Sequence, residues 1–325
     1  QRQMCIRDRT RVVDHLSKKN IQIEAKDSSL SNEFVNGDPL PQVIISTNGV
    51  QILDEPKIDA KMKISLNDEE LFNGNIAIEI RGKSSQMFPK KQYGFETRDE
   101  ENEDMDISLF DMPEEEDWIL QAPYSDKSLI RNALIYDISR ELGRYASRVK
   151  FVELTLNDVN DGVYVFMEKL KRDKNRIDIN KLKKSEITGE DLTGGYIIKI
   201  DKPDDEYTPL NSFTSEHAPY DPSGNSSVKF LYDTPDEEDI TIEQREYISS
   251  YIKDFENALA GENFRDPVLG YNSYIDTDDF IDFFLLNELG NNVDGFRIST
   301  WMVKDKNEKL KMGPIWDFNL AFGNA

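Results

Sequence analysis

Two carboxylates late in the chain have the residue types and setting that phosphoryl transfer uses. Asp294 lies in NELGNNVDG, residues 287–295, directly after a strongly apolar helical segment. Asp317 follows in Trp316-Asp317-Phe318-Asn319, after an expected strand pair. A carboxylate after a helix can orient a hydroxyl nucleophile and take its proton. A second one after a β-hairpin can hold the cation that bridges the phosphates. Asp and Asn also favour turns, so either residue alone reads as a turn former; the ordered pair favours the chemistry.

A phosphate-binding turn is the second candidate. Arg81-Gly82-Lys83-Ser84-Ser85 follows a strand and precedes Pro89-Lys90-Lys91. Glycine admits a close backbone approach, and amides and hydroxyls in such a turn can hold phosphate oxygens. Lys91 is placed to reach back toward them. The spacing is not that of a Walker A loop, and an ordinary surface hairpin fits the same residues. The third candidate is residues 167–184, MEKLKRDKNRIDINKLKK, with eight basic and three acidic residues in a chain of net charge -23. It reads as an anion site or as a salt-bridged surface. Residues 99–117 hold 11 acidic residues and no basic one; a solvated loop is the plain reading, and a calcium loop without EF-hand spacing the sharper one. His15 and His217 have no metal-ligand neighbour at useful spacing. No G-x-S-x-G, H-E-x-x-H or cysteine cluster is present.

The elements that must position these residues follow from the apolar periodicity. Gln42 to Thr47 is a β-branched run closed by Asn48-Gly49, a hairpin signal. Residues 60–66 and 75–81 alternate, with Met62, Ile64 and Leu66, then Ile76, Ile78 and Ile80, on one face. Residues 125–142 predict a helix capped by Ser125 or Asp126 and stopped at Gly143, with Leu129, Ile130, Ala133, Leu134 and Tyr136 on a broad apolar face. Residues 151–156 and 162–167 form a second hairpin. Residues 243–260 and 277–289 are helices, the latter apolar nearly all round and so expected to be buried. Residues 298–303 and 309–312 make a third strand pair. The order is α+β, with strands mostly in the N-terminal half and helices mostly in the C-terminal half.

The chain has 325 residues, 38% of them hydrophobic, enough for one large domain or two medium ones. No apolar run approaches a membrane span. A charge of -23 opposes nucleic acid and anionic membranes. Cys5 is the one cysteine, so no disulfide forms within the chain. Residues 1–9 show no periodicity and no continuity with the rest of the chain. Residues 1–37 are expected to be an artefact, leader and linker, and residues 38–325 the domain proper, cut at its C-terminal end.

With these residues in view, the chain resembles the CotH kinase family. The stretches that carry the resemblance are RGKSSQMFPKKQYGFETRD, DWILQAPYSDKSLIRNALIYDISRELG, FVELTLNDVNDGVYVFMEKLKRDKNRIDI, TGGYIIKIDK and GPIWDFNLAFGN. The resemblance implies an atypical protein-kinase fold with a strand-rich N-terminal lobe and a helix-rich C-terminal lobe, ATP, and Mg2+ or Mn2+. It implies that Arg81, Gly82, Ser84 and Ser85 cover the nucleotide and that Lys91 pairs phosphates. Residues 125–142 become the regulatory helix, and Glu168 and Lys169 the adenine-side hinge. Asp294 becomes the catalytic carboxylate and Asp317 the metal ligand, with Asn319 as a neutral helper. The sequence departs from the family pattern in two places. Asp294 is followed by Gly295-Phe296-Arg297-Ile298-Ser299, and Asn319 stands where the pattern has a second Asp.

Two functions fit. One is an ATP-dependent phosphotransferase acting on Ser or Thr of a secreted or cell-surface protein partner. The other is a catalytically weak or inactive surface or adhesion module, which the missing second carboxylate favours.

Overall fold

The computed structural model describes residues 39–203, 206–217, 219 and 227–325. Residues 1–37, His15 and Cys5 lie outside them. The chain divides into two compact units. One holds residues 39–134 and 147–169. The other holds residues 135–146 and those described from 170 onward.

The first unit is a closed barrel of seven strands: β1 (Gln42–Ser46), β2 (Ile58–Leu66), β3 (Glu69–Arg81), β4 (Gln92–Arg98), β5 (Asp117–Gln121), β6 (Val149–Leu156) and β7 (Val159–Glu168). Their order around the barrel is β1-β2-β3-β4-β5-β7-β6, and β1 closes it by pairing parallel with β6. Closure leaves no free edge in the ring. The alternation read from sequence fills the interior: Met62, Ile64, Ile76 and Ile78 join Phe95, Trp118, Leu120, Tyr164 and Phe166 in one buried cluster. Asn67-Asp68 and Asn157-Asp158 take positive φ at both residues and join β2 to β3 and β6 to β7. That backbone matches the strand twist of a two-residue hairpin. Asn48-Gly49 also turns with positive φ, but β2 starts only at Ile58, so this turn opens a longer loop rather than a tight hairpin.

The acidic run 99–117 exposes seven of its eleven acidic residues, as a solvated loop does, but it is anchored at two apolar points. Leu109 and Met112 are buried in the barrel cluster. Asp106, Glu115 and Glu116 bring carboxylate oxygens within 4.8 Å of one another. Glu115 Oε1 already accepts from the Glu116 amide at 3.1 Å, so it serves as a turn cap.

The second unit has a five-stranded antiparallel sheet of β8 (Tyr196–Ile200), β9 (Ser212–Thr214), β10 (Lys229–Thr234), β11 (Thr300–Lys304) and β12 (Lys311–Met312), in the order β12-β11-β8-β10-β9. The division at residues 134/135 falls inside α1 (Arg131–Glu141). Helices α2 (Ile242–Ala260) and α3 (Thr277–Gly290) complete this unit. A capping box between Thr241 and Gln244 starts α2. Its Ile248 and Ile252 pack with Tyr196, Ile198, Tyr232 and Met302 of the sheet. Ile177, Ile179, Ile197, Trp301 and Val303 form a separate cluster, with Trp316 packed against it.

Two helices differ from their sequence reading. Residues 125–130 are a loop, and α1 begins at Arg131. Asp126 does cap, but it caps a turn: its carboxylate accepts from the Ser128 and Arg131 amides, each at 2.9 Å, and pairs with the Arg131 guanidinium. Leu129 sits at φ 67, which breaks helical propagation. Leu129, Ile130 and Leu134 are exposed instead of lining a core face. Gly143 does end the helix, at φ 78. Helix α3, apolar nearly all round and expected to be buried, does bury Phe283 and Leu286, but it also buries Asp279, Asp282 and Asn287 and exposes Leu289.

Candidate active site

The last turn of α3 organises the two carboxylate segments. Asn291 caps the helix in the left-handed region at φ 45, with its amide donating to the Asn287 and Glu288 carbonyls. Asn287 is buried, at 3% exposure. Its Nδ2 donates to the Phe283 carbonyl at 2.9 Å, and its Oδ1 accepts from Asn292 Nδ2 at 3.1 Å. Asn292 Oδ1 in turn accepts from the Asp294 amide at 3.3 Å. A Cβ at Gly295 would collide with the Asn287 side chain, so only glycine lets the loop fold this closely over it. The route from helix to Asp294 is thus a relay of two asparagine side chains.

Asp294 closes a turn in which the amides of Arg297 and Ile298 donate to its carbonyl at 3.1 and 3.2 Å. That turn brings the Arg297 guanidinium onto the carboxylate, Nη2 to Oδ1 at 2.6 Å. The Asp294 side chain is 15% exposed and that of Arg297 is 70% exposed.

Asp317 reaches the same helix end by another route. Phe318 is buried against Gly290, where an added Cβ would come to 3.1 Å from its Cδ1. The Phe322 amide donates to the Gly290 carbonyl at 2.5 Å. The Asp317 amide donates to the Tyr136 hydroxyl at 3.3 Å, and the Tyr136 ring stacks on Trp316 with centroids 6.1 Å apart. Asn319 accepts through its carbonyl from Asn324 Nδ2 at 2.7 Å. Asp317 carries a carboxylate and Asn319 a side-chain amide oxygen, hard donors of the type Mg2+ and Mn2+ take.

Backbone strain concentrates here. Asn291, Phe296, Ser299, Asp317 and Phe322 all take positive φ without being glycine. Bulky residues hold that conformation only when the surroundings over-determine it, and such positions cluster at functional sites.

The N-terminal half of α3 is fixed by an ion triad of two buried carboxylates and a partly exposed arginine. Arg144 donates from Nε to Asp282 Oδ2 at 2.7 Å and pairs with Asp279 as well. Burial pushes the Asp279 carboxyl up to about 6, against the lowering pull of Arg144; Asp276 and Asp282 add to the rise, and Lys311 opposes it. Arg144, Asp276, Asp279 and Lys311 line a cavity of about 400 Å³ together with Phe283, Leu286 and Ile315.

The nucleotide residues expected from sequence lie in the barrel unit. Arg81 ends β3, and Gly82 follows at φ 85. Ser84 and Ser85 start a 3-10 turn, Ser84–Met87. Lys91 closes this loop on itself, its ammonium donating to the Gln86 carbonyl at 2.5 Å and the Phe88 carbonyl at 2.9 Å. Glu168 is fully buried, accepting from the Arg148 amide at 2.9 Å and the Arg148 guanidinium at 2.6 Å. Lys169 pairs with Asp117 at 3.0 Å. In the basic run, Lys184 pairs with Asp239 at 2.7 Å, which fits the salt-bridged reading for that residue. His217 bonds Asn257 Oδ1 at 2.8 Å.

Sequence reading passed over Arg297, Asn287, Tyr136 and the Arg144 triad. The i,i+3 spacing of Asp294 and Arg297 was a usable signal for the first. The triad joins residues 138 positions apart and had none.

A family model described as CotH kinase protein matches residues 78–325, most of the chain. No curated protein matches it.

Proposed function

The chain belongs to the CotH kinase protein family, and from that premise we propose that it is an ATP-dependent phosphotransferase with an atypical protein-kinase-like fold. It acts on Ser or Thr hydroxyls of a protein partner, with Mg2+ or Mn2+. The observation that carries this reading is the common anchorage of two carboxylate segments on the last turn of α3, through Asn287 and Asn292 for Asp294 and through Phe318 for Asp317.

In this mechanism Asp294 orients the hydroxyl and takes its proton as the oxygen attacks the γ-phosphorus. Asp317 and Asn319 would hold the divalent cation. That cation, when bound, neutralises charge on the phosphoryl group in transfer. In the barrel unit, Arg81, Gly82, Ser84 and Ser85 contact the phosphates through amides and hydroxyls. Lys91 holds the loop closed with two of its three donors and offers the third to a phosphate. Glu168, fixed by Arg148, and Lys169 form the adenine-side segment. Positioning and charge neutralisation do most of this chemistry.

The same reading assigns a secreted or cell-surface location. Among the described residues no helix is long and apolar enough to cross a membrane. The net charge of -23 supports a partner other than nucleic acid.

Asn319 favours a second reading, a surface module without turnover, because an amide supplies no charge to a cation. Incubation with γ-labelled ATP and Mn2+ separates the two. Label on Ser or Thr, absent in Asp317→Ala, is the expected result. Absence of label together with absence of any nucleotide-induced thermal shift would favour the module instead.

A further inference from the structure

We infer that Arg297 is a catalytic residue of this site, bridging Asp294 to the γ-phosphoryl group of the donor; the inference rests on the phosphotransferase reading and deepens it. Its guanidinium is bonded to Asp294 Oδ1 at 2.6 Å while its side chain is 70% exposed. Asp294 is its one partner among the described residues. A guanidinium has five N–H donors in a planar fork, so most of the fork faces outward beside the carboxylate.

The geometry of the reaction places a phosphate there. A hydroxyl that gives its proton to Asp294 lies within about 3 Å of that carboxylate. Its oxygen stands roughly 3–3.5 Å from the phosphorus it attacks. The oxygens of the γ-phosphoryl group therefore come within reach of a guanidinium already bonded to the same carboxylate. In the transfer, the substrate oxygen bonds to the γ-phosphorus and the bond from that phosphorus to the β,γ-bridging oxygen breaks. The electron pair leaves with ADP, and the hydroxyl proton passes to Asp294. Charge builds on the equatorial oxygens during this exchange, where an arginine acts most strongly. The turn that sets Arg297 on Asp294 is fixed by backbone bonds from residues 297 and 298 to the Asp294 carbonyl. The Arg297 backbone is therefore held beside the base, within reach of its guanidinium, before any ligand arrives.

The test compares Mn2+-dependent binding of ADP and of a non-hydrolysable ATP analogue to the wild-type chain, Arg297→Ala and Arg297→Lys, alongside label transfer. The wild type is expected to prefer the analogue over ADP. Arg297→Ala is expected to lose that preference while keeping its ADP affinity, and to transfer label at least about 10³-fold more slowly. Arg297→Lys and added guanidinium ion are expected to restore part of the rate. An unchanged analogue-to-ADP ratio in Arg297→Ala overturns the assignment, as does faster transfer, which would make Arg297 a plug on Asp294. A wild-type chain that binds neither nucleotide overturns the phosphotransferase reading along with it.

Discussion

The ring of Phe318 lies against Gly290, so close that a Cβ at position 290 would sit 3.1 Å from its Cδ1. This contact ties the residue after Asp317 to the helix that leads into Asp294. Gly290→Val is expected to force the ring or the helix end to shift, at a cost of about 1–3 kcal/mol. A urea titration checks the stability. Mn2+ affinity is expected to fall in the same variant, because Asp317 moves with Phe318.

Asn287 carries the other tie. Asn287→Ala removes the bonds to the Phe283 carbonyl and the Asn292 amide group from a buried position. The expected loss is about 1–3 kcal/mol of stability. Label transfer is expected to fall further than stability predicts, because Asn292 loses the acceptor that orients it toward the Asp294 amide. Rates measured well below the variant's melting temperature separate the two effects.

The Arg144 triad makes stability depend on pH in a defined direction. The Asp279 carboxyl is raised from 3.8 to about 6 in the folded chain. Between those values the folded state binds more protons than the unfolded one, so stability from this group is full below about 3.8 and is lost as pH rises through about 6. The difference in unfolding free energy between the wild type and Asp279→Asn is expected to change by up to roughly 3 kcal/mol across that window. Arg144→Met is expected to be far worse at neutral pH, by about 3–5 kcal/mol, since it leaves Asp279 and Asp282 buried without their cation.

Lys304 gives the opposite sign. Its ammonium is buried and donates to the Thr193 and Asp305 carbonyls at 2.6 and 3.0 Å. Burial pulls it from 10.5 down to about 8. Between those values the unfolded chain holds more protons, so this group's contribution to stability rises with pH over that interval. Lys304→Met is expected to flatten that part of the profile, read by chemical unfolding from pH 7 to 10.

The strands were the legible part of the fold, because β2 and β3 alternate residue by residue and a closed barrel buries one face of each. The start of α1 was not. Asp126 is a good cap in sequence, and nothing local announces that Leu129 turns left-handed and delays the helix to Arg131. Helix α3 was legible only in part: Phe283 and Leu286 are buried as its apolar run implies, but Asp279 and Asp282 are buried beside them, which depends on an arginine from a distant element. In the candidate site, Asp294 and Asp317 were visible as types in order. Their shared support was not, since Gly290 and Phe318 meet only after folding.

The central claim is that Asp294 and Asp317 serve one reaction in different roles, base and cation ligand. Isothermal titration of Mn2+ and ATP, followed by label transfer on the same samples, tests it directly for Asp294→Asn and Asp317→Ala. The account predicts that Asp294→Asn binds Mn2+ and ATP as the wild type does but transfers nothing, while Asp317→Ala loses both. Undiminished transfer by either variant, or equal Mn2+ affinity in Asp317→Ala and the wild type, would contradict it.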